Sequence, residues 1–304
     1  MTGTDNRKPW ADFWAGKAGE RQTACIPDGL KDIDQAQRAA WQAFAAKLPA
    51  GARVLDLATG DGAVLKKIRE VRSDLQLVGV DSAPSLPPSP PGISLRAGVS
   101  MESMPFKDGS FDAVVSQFGY EYGDTRAIAG EVGRLLRPGG GLALLIHRSD
   151  GPIVAHNLPR RDALRWALAP GGYLSKARAL AGARRLVALP TPAAFRSAAD
   201  EAQRLYPGQS VGAEFLTAVW QTLEMGRSKP PNESLEVFDT LEKKALNEIE
   251  RIETLERAAC DPARIKAILA EVEDAGLDVQ APAELIEGGS GRSFAWWLSA
   301  TRRG

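Results

Sequence analysis

The chain has 304 residues, 44% of them hydrophobic, with 38 basic and 38 acidic side chains and no formal net charge. That length suits one large domain, or one domain with a sizeable insertion, able to bury well over half of its unfolded surface. A balanced chain offers no basic field for a polyanion, so nucleic acid is not an expected partner. Nor is a membrane, because no apolar run approaches the roughly 18 residues of a spanning helix.

Cys25 and Cys260 are the two cysteines, far apart and outside any C-x-x-C, which predicts reduced thiols and a cytoplasmic location. The first residues hold no apolar leader core, so a secretory signal is not expected. Residues 1–50 read as an N-terminal helical cap. Trp10, Phe13 and Trp14 cluster in a short helical pattern, and a helix over 34–48 places Ala36, Ala40, Trp41 and Phe44 on one face, suited to packing on a sheet.

Val54-Leu55-Asp56-Leu57 alternates as a strand and runs into Ala58-Thr59-Gly60-Asp61-Gly62, after which Val64, Leu65, Ile68 and Val71 recur at helical spacing. In such a strand–turn–helix, small residues let the backbone approach a ligand and the helix N-terminus presents N–H groups. Two cofactor classes use the arrangement. The dinucleotide fingerprint G-x-G-x-x-G would fall on Ala58, Gly60 and Ala63, and it has no need of the acid at Asp56. The pattern acid-x-small-x-Gly-x-Gly instead resembles motif I of the class I S-adenosylmethionine-dependent methyltransferases. The resemblance implies that Ala58, Gly60 and Gly62 wrap the amino-acid end of the cofactor and that Asp56 serves its ammonium group, often through water. Ala58 departs from the family's first glycine.

A second strand over 75–80 ends in Asp81, followed by Ser82. An acid there can accept both hydroxyls of a ribose, which serves either cofactor. Pro84, Pro87, Pro88, Pro90 and Pro91 rule out a helix in the next crossover and predict an extended segment that leaves part of one sheet face thinly covered. After a short strand at 93–96, residues 98–115 are again similar to the methyltransferase family, in the loop that leads through Pro105-Phe106 and Phe111-Asp112 into strand four. By that resemblance Met101 and Glu102 flank an adenine, while Ser100 stands where many members carry an acid.

Strand four, 111–116, ends in Gln117-Phe118, and ligands of open α/β sheets bind outside the carboxyl ends of strands. Gln117 is expected to border the methionine end of the cofactor, and Tyr120 and Tyr122, with Glu121, to face substrate or to pack. The tetrapeptide Asn/Asp-Pro-Pro-aromatic of methylases acting on bases is absent here, a further point against nucleic acid. A helix over 125–136 stops at Arg137-Pro138-Gly139-Gly140 before a fifth strand at 142–146, a phrase that also resembles the class I family. His147 closes that strand as a candidate general base, or as a hydrogen-bonded structural residue. No metal-binding cluster is visible.

From 151 to 260 the composition shifts to Ala, Leu, Arg and Glu, with helices predicted at 161–169, 174–189, 192–205, 212–225 and 233–259. Thr191-Pro192 and Asp261-Pro262 each read as an N-cap followed by proline. On the longest helix Leu235, Phe238, Leu241, Ala245, Ile249, Ile252 and Leu255 form an apolar stripe, fit for packing in a helical lid or for a homodimer seam. A helix at 262–275, a strand at 277–286 and a final antiparallel strand at 293–300 return the chain to the core.

The expected architecture is therefore a doubly wound α/β fold with a seven-stranded, mostly parallel sheet whose last strand is antiparallel, plus a helical insertion. Its parts would be a cap at 1–50, a cofactor-binding core at 51–150, a substrate lid at 151–260 and a completing segment at 261–304. The resemblance implies methyl transfer from S-adenosylmethionine, leaving S-adenosylhomocysteine, to a small-molecule acceptor. A cofactor-binding protein without activity and an NAD(P)-dependent oxidoreductase remain as alternatives.

Overall fold

A computed structural model describes residues 9–10, 13–14 and 31–304; Cys25 and most of the predicted cap before residue 31 lie outside the described residues. Two compact units result. Residues up to 154 together with 254–304 form one, and residues 155–253 form the other.

In the first unit, α1 (Lys31–Ala45) precedes β1 (Arg53–Leu57), α2 (Ala63–Arg69), β2 (Gln76–Val80), β3 (Ile93–Arg96) and β4 (Phe111–Gln117). A single 3-10 turn (Tyr120–Tyr122), α3 (Thr125–Leu135) and β5 (Leu136–His147) follow. The strands make one eight-stranded sheet with β3, β2, β1, β4 and β5 side by side and parallel. After the helical unit, α9 (Pro262–Asp274) leads to β6 (Leu277–Val279), β7 (Ala283–Ile286) and β8 (Ser293–Arg302), and β8 pairs antiparallel with β5, β6 and β7.

The expected single strand at 277–286 is thus two short strands. Pro282 stands in the gap between them, and proline cannot donate to a continuous ladder. The fifth strand begins at Leu136, earlier than its apolar run, and takes the Pro138-Gly139-Gly140 irregularity as a register shift against β4.

Alternation along the strands sorts the sheet into two faces. One carries Leu55, Leu57, Val114, Leu142, Leu144 and Ile146 against Ile128 and Val132 of α3 and Ile265 and Ile268 of α9. Gly133 lets α3 approach the chain after α9, since a Cβ there would overlap the Ala275 carbonyl. Toward the other face, α1 lays Ile33, Gln37, Trp41 and Ala45 inward at i, i+4 spacing, with Trp41 on Trp297 of β8 at 4.9 Å between ring centroids. Arg72 fastens the end of α1 by donating to the carbonyls of Ala45, Leu48 and Pro49. The β2–β3 crossover holds no helix, as its prolines dictate.

The second unit comprises most of α4 (Pro152–Ala167), then α5 (Tyr173–Ala183), α6 (Ala193–Leu205), α7 (Val211–Met225) and most of α8 (Pro231–Ala258). Its boundaries fall within α4 and α8 rather than at 151 and 260. Its core gathers Leu164, Ala177, Phe195, Leu216, Val219 and Phe238. The stripe on α8 is largely spent there, because Phe238, Ala245 and Ile249 are buried and Leu235 and Leu241 pack against them. α4 starts nine residues before its expected position of 161, running through Pro159. The expected cap at Thr191 is not made: its hydroxyl accepts from Arg184, and α6 starts without a side-chain cap. Asp261 does cap α9, accepting from the Arg264 N–H with Pro262 at the first turn.

Candidate functional site

The turn after β1 is built from left-handed backbone. Ala58, Gly60 and Gly62 take φ of 51°, 52° and 77°. For Ala58 this conformation costs roughly 1–2 kcal/mol, a strain the surrounding bonds must hold. The Thr59 N–H donates to the Val80 carbonyl and the Gly62 N–H to the Thr59 carbonyl, each at 2.9 Å. Gly79 in β2 makes room for this turn, since a Cβ there would overlap the Thr59 side chain.

Asp56 lies beneath the turn, 1% exposed. Its Oδ2 accepts the Thr59 hydroxyl at 2.6 Å, while Oδ1 has no hydrogen-bond partner among the described residues. Burial pushes this carboxyl up to about 8, against the Thr59 hydrogen bond, and the nearby charges of Asp81 and Asp61 push the same way. An unpaired carboxylate in such a place is costly until a cation or donor reaches it.

Asp81 ends β2 and ties the turn together. Its Oδ2 accepts from the Gly60 N–H and its Oδ1 from the Ala83 N–H, both at 2.9 Å. Burial raises this carboxyl too, against those backbone bonds. Each oxygen keeps a second lone pair, so the two ribose hydroxyls remain within its capacity. Ser82 beside it is exposed.

Asp61 lies just ahead of α2, before the Gly62 N-cap, and the sequence reading passed over it. Its Oδ1 accepts from the Ala63 N–H at 3.1 Å, and its Oδ2 pairs with Lys66 at 2.8 Å. The helix N-terminus expected to present free N–H groups therefore already carries a carboxylate. The signal was available, as an acid just before the first apolar-periodic residue is a capping pattern.

The loop before β4 reaches the same edge of the sheet. Val99 N–H donates to the Asp81 carbonyl and Gly98 N–H to the Ala83 carbonyl, which sets Met101 and Glu102 close by in the chain. The Ser100 hydroxyl bonds Glu102 Oε2, and Glu102 Oε1 accepts from the Asp124 N–H at 3.3 Å. Arg134 braces this loop through the carbonyls of Met104 and Phe106 and the carboxylates of Asp108 and Glu131.

Gln117 ends β4 with its side chain turned to α1. Its Oε1 accepts from Trp41 Nε1 at 2.7 Å and its Nε2 donates to Gln37 Oε1 at 3.3 Å. Gln37 is wholly buried, which no sequence pattern signals, because a glutamine on a helix reads as its wet face. Tyr120 does not face a substrate. It is 1% exposed in the core, and its hydroxyl donates to the Thr125 carbonyl at 2.8 Å. Tyr122 is placed differently, its ring meeting Trp10 at 5.7 Å and His147 at 6.1 Å, edge to face.

His147 ends β5, buried, with Nδ1 at 2.8 Å from Glu121 Oε1 and the Phe118 ring stacked on it at 4.0 Å. Phe118, at φ 55°, and Ala58 are the non-glycine residues with positive φ among the described residues. Trp14 lies over Gly60 so closely that a Cβ on Gly60 would overlap its ring. His156 belongs to the helical unit. Asp56, Ala58, Gly60, Gly62, Asp81, Met101, Glu102, Gln117, Tyr122 and His147 all belong to the sheet unit, where the strands β1, β2, β4 and β5 end.

Residues 55–144 match a family model described as a methyltransferase domain. Among curated proteins, demethylmenaquinone methyltransferase of Thermus thermophilus is 36% identical over 101 residues, covering 31% of this chain and 46% of that protein. The protein of the same name from Deinococcus radiodurans is 34% identical over 107 residues, covering 31% of this chain and 42% of its own. The chain thus spans less than half the length of these relatives. A solved chain from the Haloferax volcanii complex of the Trm112 methyltransferase activator with a methyltransferase is 14% identical, with a TM-score of 0.47 over 97% of this chain and 98% of that one.

Proposed function

We propose that the protein, whose residues 55–144 match a methyltransferase domain, is a class I S-adenosylmethionine-dependent methyltransferase that moves a methyl group from that cofactor to a small-molecule acceptor. The observation that carries this reading is the charge around the turn. Asp56 keeps a buried oxygen without a partner, Asp81 stands at the next strand end, and Asp61 already occupies the helix N-terminus. Asp56, once a cation reaches its open oxygen, and Asp81 favour a positively charged nucleoside, while Asp61, paired with Lys66, closes the helix end. They oppose a pyrophosphate, whose usual seat is a helix N-terminus with its N–H groups free. This argues against the nicotinamide alternative.

The residues present fit the cofactor. Asp56 Oδ1 suits its ammonium, the Ala58–Gly62 turn its amino-acid chain, Asp81 its ribose, and Met101 with Glu102 its adenine. When bound, the sulfonium supplies an already activated methyl. What remains for the protein is alignment and exclusion of water, effects worth about 7 to 11 kcal/mol where reacting groups are held in line. The acceptor is proposed to be a small molecule on the strength of the two relatives' names.

The reading is tested in two steps. Titration calorimetry compares S-adenosylhomocysteine with NAD, and the former alone should bind. Methyl-labelled cofactor is then incubated with fractionated cell extract, and label is expected in the small-molecule fraction. Tight binding without transfer to any fraction would establish the non-catalytic alternative.

A further inference from the structure

The ring of His147 is held by three neighbours from the short stretch that follows β4. Glu121 Oε1 lies 2.8 Å from Nδ1 and also accepts the backbone N–H of His147 at 2.9 Å. Phe118 stacks almost parallel on the imidazole, at 22° between planes, and Tyr122 meets its edge. Glu121 is buried, and its Oε2 has no hydrogen-bond partner among the described residues. One carboxylate oxygen therefore faces two nitrogens of the same residue, and the backbone nitrogen can only donate. An oxygen already accepting there accepts from the ring as well, which places the ring proton on Nδ1. The lone pair is left on Nε2.

Resting on the methyltransferase reading above, we infer that Glu121 is a positioning residue that, with Phe118, locks His147 in the tautomer with a free Nε2, and that this nitrogen takes the proton of a phenol- or enol-type hydroxyl on the acceptor. The acceptor's O–H bond breaks as its proton passes to Nε2. The oxygen forms its bond to the methyl carbon while the carbon–sulfur bond breaks, the sulfur keeping that electron pair. The proton leaves His147 for solvent after the products depart.

The hydroxyl class follows from what an imidazole can deprotonate. A phenol, with a pKa of about 10 like tyrosine's, lies within reach, whereas an aliphatic alcohol does not. An amine that is already neutral attacks through its own lone pair and sheds its proton afterwards, so it needs no oriented base before attack. The rings of Phe118, Tyr122 and Trp10, the last at 5.7 Å from Tyr122, supply the aromatic surroundings a flat acceptor favours.

With two histidines in the chain, nitrogen NMR of isotope-labelled imidazoles separates His147 from His156, and His156 serves as the internal control. His147 is expected to show a protonated Nδ1 and a bare Nε2. Glu121→Leu should lose that preference, and Glu121→Gln should keep it, because an amide oxygen can accept both donors. With 2-naphthol as acceptor, Glu121→Leu should lower kcat about 10-fold or more at unchanged KM for S-adenosylmethionine. Glu121→Gln should stay within a few-fold, and His147→Ala should fall by about 10²-fold or more. Hexylamine should not be methylated.

An Nε2-protonated ring in the unmodified protein overturns the assignment outright, so a poorly folding Glu121→Leu does not shelter it. A tautomer indifferent to Glu121→Leu overturns the positioning role. No turnover of 2-naphthol, or a preference for hexylamine, overturns the acceptor class. Failure to bind S-adenosylhomocysteine would sink the methyltransferase reading, and it would leave the tautomer result standing.

Discussion

Replacing Asp56 by Asn should make the unliganded protein more stable as pH rises, while removing its hold on cofactor. Burial lifts the Asp56 carboxyl from an ordinary 3.8 to about 8. Between those values the unfolded chain has released a proton that the folded chain retains, so stability falls as pH increases and levels off above the higher value. At about 1.4 kcal/mol per pH unit, the loss from Asp56 between about pH 5 and about pH 8 amounts to roughly 4 kcal/mol at most. Asn keeps the shape and carries no charge at any pH. Asp81 is raised in the same direction and stays in both proteins, so the difference between them reports Asp56 together with its coupling to Asp81.

The assay is urea unfolding followed by tryptophan fluorescence. A Trp166→Phe, Trp220→Phe background removes the indoles of the helical unit and leaves Trp10, Trp14, Trp41, Trp296 and Trp297, all in the sheet unit, to report its unfolding. The stability gap between Asp56→Asn and its parent should widen in favour of Asn across that pH range. Parallel pH profiles for the two proteins would refute the argument, because they would mean the carboxyl is ionised, and satisfied, without ligand.

Gly60→Ala places a side chain at φ 52° and into the Trp14 ring; it should cost about 1–3 kcal/mol in thermal unfolding and weaken S-adenosylhomocysteine binding about tenfold or more by calorimetry. Trp41→Phe keeps the ring contact with Trp297 but strands the Gln117 oxygen, a loss of about 1–3 kcal/mol by urea titration. Arg134→Ala unpins two loop carbonyls, so amide hydrogen exchange over residues 101–108 should quicken while β1 stays protected. Cys260 is 1% exposed and burial pushes its thiol up to about 12; iodoacetamide at about pH 8 should leave it unmodified in the native protein and alkylate it in urea, as read by peptide mass spectrometry.

Much of the sheet unit was legible because its signals are local. Strand alternation, the small residues between Asp56 and Ala63, the prolines of 84–91 and the Asp261-Pro262 start each act through a residue's own backbone or its near neighbours. Where such local reading failed, a distant partner had decided. Thr191 looks like a cap, but the Arg184 guanidinium takes its hydroxyl. Tyr120 looks exposed at a strand end, but the Thr125 carbonyl and the core draw it inward. Gln37 looks wet, but Gln117 and Trp41 give it a buried polar neighbourhood.

The sequence by itself determined the order of most strands and helices, the tight turn of small residues after β1 and the two acids at neighbouring strand ends, since chain geometry and periodicity enforce these wherever the chain folds. Only the tertiary structure decided which lone pairs stay open. Asp56 Oδ1 is left bare while Asp61 closes the helix end, and Glu121 meets His147 from the far side of a turn. Hydrogen-bond capacity is settled by which side chains arrive within 3 Å or so of one another, and that is a property of packing between segments distant in the chain.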